Sequence, residues 1–268
     1  MEKEITKGLI EQSGEVINKA YDDFVHPTAE PLGQILSYLP RTVRLFFAKW
    51  EKWLVNGEEN LRLTGEALRD KVSAIPEEKL CEPEPYVAIP AIQQIAYCYD
   101  SAELRNMYAN LLASSMNTDK KWSVHPGYIS IIKQLTPDEA KLLKILPRET
   151  NRYLPLIDLK IVLGDYSKGE QIIKQNYTNI GDTICESPEN IGVYIDDLIR
   201  LKIIDVPSDR HLIDKSKYDC LKNSEFIQKL RNDDILLADQ RYDFNEKVLS
   251  VTEFGLGFIR CCIDDIEL

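Results

Sequence analysis

From Ile89 to Met116 apolar side chains return every three or four residues, at Ile92, Ile95, Ala96, Tyr99, Leu104, Met107, Tyr108, Leu111 and Leu112. An α-helix turns by about 100° per residue, so this spacing gathers them on one face. The stretch is apolar enough to be largely buried, which makes it the organising helix of its part of the chain. Ser101, two residues before Glu103, marks a point where the helix restarts.

Other helices surround it in sequence. Residues 1–24 place Ile5, Leu9, Val16, Ile17, Tyr21 and Phe24 near helical spacing, and His26-Pro27 and Glu30-Pro31 then impose a kinked connector. Between 58 and 75, Leu61, Leu63, Leu68, Val72 and Ile75 continue in helical style until Pro76, and the proline-rich 82–85 reads as extended. After the polar MNTDKKWS hinge, Pro126 suits the first turn of a short helix over 124–135. Thr136-Pro137-Asp138-Glu139 combines a hydroxyl cap, a proline and first-turn acids, so a further helix starts there and stops at Pro147.

The texture then changes to shorter apolar runs and more turns. Residues 190–202 read as a helix feeding a strand at 203–206, with 210–213 as its hairpin partner. A helix is expected over 224–238, a strand at 247–251, and a terminal helix from 253 capped by Thr252. Helix, strand, wing, strand and helix in that order imply a winged-helix-like domain. The expected fold is therefore mostly α, with N-terminal amphipathic helices over 1–80, a central helical core over 81–147 and a C-terminal α+β winged-helix-like domain over 148–268.

Residues 41–54 (RTVRLFFAKWEKWL) stand apart in an acidic chain. On a helical wheel Phe46, Phe47, Trp50, Trp53 and Leu54 share one face, whereas Arg41, Arg44, Lys49 and Lys52 share the other. Such a helix packs on its neighbours with solvated cations, or lies on an anionic membrane with its aromatics inserted.

The net charge of -11 repels phosphate backbones, which makes nucleic acid an unlikely partner. Six cysteines without a CxxC pair and a polar, charged start point to reduced thiols in the cytoplasm, and no apolar run is long enough to span a bilayer. Catalytic motifs are missing. Ser114-Ser115 lacks a GxSxG turn, no phosphate-binding glycine loop occurs, and Gly255 and Gly257 read as close-packing positions.

His26, His125 and His211 lie far apart, without metal-ligand spacing, and His125 reads as a capping or packing residue before Pro126. Asp100, Glu103 and Arg105 read as a salt-bridge cluster, Asn106 and Asn110 as one polar helical face, and Cys261-Cys262 as core. No cofactor is expected.

The segments PYVAIPAIQQIAYCYDSAELRNMYANLLASSM, VHPGYISIIKQLTPDEAKLL and VTEFGLGFIRCC resemble the abortive-infection alpha (Abi-alpha) family, a bacterial domain of unknown function tied by name to phage defence. His125 and Pro126 belong to the matching stretch as structural residues. The resemblance implies a role in abortive infection or another stress response, through sensing, a toxic interaction or membrane disturbance.

The expectation is a non-enzymatic, cytoplasmic defence protein that works through contacts with another protein or with itself. One alternative is a peripheral effector at the inner membrane face, using 41–54 on anionic lipid. The other is a winged-helix transcriptional regulator.

Overall fold

The computed structural model describes residues 58–95, 101–149, 152–164, 169–233 and 236–264. The described residues divide into two units, one within 58–134 and the other within 135–263.

The described part of the first unit is helical. Helix α1 (Glu58–Ser73) and α2 (Pro85–Ile95) both pack on α3 (Ala102–Ser115), and α4 (Gly127–Ile132) rests on α2 and α3. The expected restart is real, because the Ser101 hydroxyl accepts from Leu104 N at 3.3 Å and caps α3. From Met107 to Ser115 every residue of α3 is buried. Tyr108, fully buried, donates its hydroxyl to the Ile129 carbonyl at 3.2 Å and so bolts α3 to α4. Each such aromatic or aliphatic side chain taken out of water contributes about 1.5–3 kcal/mol, which is why the periodic stretch organises the unit.

The second unit opens with α5 (Pro137–Ile145). Its first turn is the expected one: Thr136 and Glu139 form a reciprocal capping box, and Pro137 sits at the start where no donor is needed. Strands β1 (Leu154–Leu163) and β2 (Glu170–Tyr177) follow, then α6 (Ile191–Arg200), β3 (Ile204–Asp205), α7 (Ser216–Lys222), α8 (Glu225–Asp233), β4 (Gln240–Val251) and α9 (Glu253–Cys262). The strands form one antiparallel sheet in the order β2-β1-β4-β3.

This sheet corrects the expectation of a mostly α protein with a winged-helix-like domain. The fold is α+β, with the antiparallel sheet in the C-terminal part. Residues 210–213 do not pair with 203–206; β3 is two residues long and pairs with the end of β4, Ile204 opposite Val251. The 247–251 strand extends back to Gln240 and pairs along its length with β1. Strand β1 is covered on both faces, Leu156, Asp158, Lys160 and Val162 on one and Ile157, Leu159 and Ile161 on the other. A strand buried on both sides loses the alternation that announces strands in a sequence.

Candidate functional site

In the helical unit the proline-rich connector is stitched to the hinge after α3. Cys81 N donates to the Met116 carbonyl at 2.8 Å, Thr118 N to the Lys79 carbonyl at 2.9 Å, and Leu80 bridges Asn117. The Asn117 side chain closes the hinge by accepting from Asp119 N at 2.9 Å. On this braced backbone three large apolar side chains face water: Trp122 at 86% exposure, Tyr86 at 59% and Ile89 at 38%. Tyr86 and Ile89 are three apart on α2 and so share a face.

Lys121 joins the two aromatics. Its Nζ lies 2.8 Å from Glu84 Oε1 and 5.5 Å from the Trp122 ring, and donates to the Glu82 carbonyl at 3.3 Å. The bond to Glu84 holds its pKa above the ordinary lysine value, and the nearby Tyr86 phenol adds a smaller push. The ammonium thus lies beside both aromatics and leaves them exposed.

In the second unit two buried carboxylates act as anchors. Asp138, in the first turn of α5, accepts from Glu186 N at 2.9 Å, Ser187 N at 3.1 Å, the Tyr194 hydroxyl at 3.1 Å and Lys141 Nζ at 3.2 Å. Burial alone would raise its pKa, but these donors together hold it below 3.8. A depressed folded pKa means stability that is present above the unfolded value and lost as pH falls through the folded one. Asp138→Ala is therefore expected to lower the stability measured by urea unfolding at pH 7 by about 1.5–3 kcal/mol, with the difference from the parent shrinking as pH falls below the unfolded carboxyl value. Neighbouring Glu139 is shifted the opposite way, upward, because burial outweighs its capping bonds. The Cys185 thiol beside Asp138 is pushed up to about 11, chiefly by burial, so it stays protonated and unreactive at neutral pH.

The second anchor is Asp158 at the centre of β1, 5% exposed. Lys247 on β4 meets it at 2.6 Å, and Asn176 N on β2 donates to it at 2.9 Å. Asn176 sits at a positive φ of 55° where the β1–β2 register shifts, and its side chain accepts from Lys247 and donates to Asp196 on α6. Lys160, also buried, pairs with Glu170 at 2.7 Å. The network links three strands and one helix, and its charges are spent on one another. Its chemistry is positioning: a one-residue slip of any strand would strand a buried charge.

Several residues singled out in the sequence have a place here. His125 Nδ1 accepts from Gly127 N at 3.0 Å, its ring is 5.8 Å from Tyr128, and Pro126 caps α4. Glu103 accepts from the Ser101 hydroxyl at 3.4 Å. Asn106 and Asn110, four apart on α3, share a face, Asn110 at its buried end and Asn106 exposed. Cys261 and Cys262 are both buried. Arg200 pairs with Asp197, 2.6 Å apart.

His26, Arg41, Arg44, Phe46, Phe47, Lys49, Trp50, Lys52, Trp53 and Asp100 lie outside the described residues. Among the described residues no helix is long and apolar enough to cross a membrane, and no group of three His, Cys, Asp or Glu side chains is placed to hold a metal ion.

Two features escaped the sequence reading. Trp122 lies in a hinge whose composition reads as polar, and a tryptophan among lysines is its one sequence signal. The Asp158 network had a fainter one, two opposite charges two residues apart within the apolar run LPLIDLKIVL.

The family model described as abortive infection alpha matches residues 56–262, most of the chain. None of the curated proteins matches. Among solved structures, an uncharacterized protein from the hydrocarbon-degrading marine bacterium Alcanivorax borkumensis SK2 is similar, with 16% identity, coverage of 53% of this chain and 92% of that one, and a TM-score of 0.34.

Proposed function

The chain belongs to the abortive infection alpha family, and from that premise we propose that it serves defence as a non-enzymatic protein acting through contacts with another protein. The observation that carries this reading is the braced patch of Trp122, Tyr86 and Ile89. Large apolar side chains left in water cost free energy unless something covers them, and tryptophan and tyrosine are the residues that dominate contact energies when they become desolvated. The ionisable anchors of the second unit support the same reading, since their charges are engaged in holding strands and loops in register.

Phage challenge of cells expressing the chain tests it. The double variant Trp122→Ser with Tyr86→Ser is expected to lose the infection phenotype while its circular dichroism and melting temperature stay close to those of the parent, because both side chains are exposed. An unchanged phenotype in a folded, equally abundant double variant would remove the patch from the mechanism.

A further inference from the structure

Resting on that contact surface, we propose that the patch around Trp122 and Tyr86 receives a basic segment with an apolar face, presented by a partner protein. Two features carry the proposal, one for the charge of the ligand and one for its size.

The first is the rim. Residues 77–86 and 117–123, held together by the Leu80–Asn117 bridge, carry five carboxylates against three lysines, a net charge of -2. Lys121 pairs with Glu84 and Lys79 with Asp119, each at 2.8 Å, so the excess rests on exposed Glu77, Glu78 and Glu82 against Lys120. The field at the patch therefore favours an approaching cation.

The second is rigidity. Trp122 projects from a turn tied down at Asn117, Thr118 and Lys121, and Tyr86 and Ile89 project from one helix face. A backbone already held in place loses little conformational freedom on docking, which favours a short segment over a large interface.

The test uses the full chain and a fluorescein-labelled amphipathic peptide of leucine and lysine at helical spacing, with a counterpart in which every lysine is glutamate. Anisotropy is expected to report binding of the lysine peptide, weakened about tenfold by Trp122→Ser, weakened by Glu82→Lys, and falling with added salt. The glutamate peptide is expected not to bind. Equal binding of the two peptides, or lysine-peptide binding untouched by Trp122→Ser, overturns the proposal. Flotation of the chain on anionic vesicles that depends on Trp122, without peptide binding, overturns it in favour of a lipid surface.

Failure here is separable from failure of the function. Patch-dependent peptide binding with an intact infection phenotype in the Trp122 variant discards the functional reading and keeps the basic ligand. A lost phenotype without peptide binding does the reverse.

Discussion

Lys247→Met lowers the stability of the second unit by about 3–5 kcal/mol, the usual loss when one member of a buried ion pair is removed. Methionine fills a similar length but leaves the buried Asp158 carboxylate without the ammonium 2.6 Å away, and leaves the Asn176 side-chain oxygen without its donor. The melting temperature should fall by more than about 10 °C for a unit of this size.

A companion measurement identifies the cause. Adding Asp158→Leu to Lys247→Met removes the stranded charge and should recover a large part of the loss, as apolar replacement of whole buried pairs does. If the double variant is as unstable as the sum of the singles, the pair is not what holds β1 and β4 in register.

Gly255→Ala is the second large effect. A Cβ on Gly255 would lie 2.0 Å from the Ile203 carbonyl oxygen and 2.8 Å from its carbon, both backbone atoms that cannot swing aside. Helix α9 would have to retreat from β3. The Thr252 bonds that fasten it there would then open: the hydroxyl donates to the Lys202 carbonyl at 2.6 Å, and the amide to the Ile203 carbonyl at 3.0 Å. The expected loss is about 3 kcal/mol, at the upper end of overpacking effects, read as a lower denaturant midpoint with an unchanged slope. Alanine is the better helix former, by about 0.5–1 kcal/mol, so a stabilised variant would show that the close approach is absent.

The two effects differ in how far they were legible beforehand. Gly255 was readable as a close-packing position because a glycine within a helix pattern needs a reason, and the close approach to β3 supplies it. The ion pair was not, because Asp158 and Lys247 are 89 residues apart in sequence and neither charge looks unusual alone. The same holds for Trp122: its letter was visible, whereas its exposure depends on how the connector and the hinge are tied together.

Local chemistry determined the helices of the first unit and the starts of α3, α5 and α9, since caps, prolines and three-to-four spacing act within one or two turns. Family membership was likewise written in contiguous motifs. Tertiary structure alone decided the sheet. Strand β1 is joined to β4, far along the chain, a doubly buried strand carries no alternation, and the polar edge strand β2 carries no apolar signal. The winged-helix expectation failed for that reason: it paired 203–206 with its nearest neighbour in sequence, whereas β3 found its donors and acceptors at the end of β4.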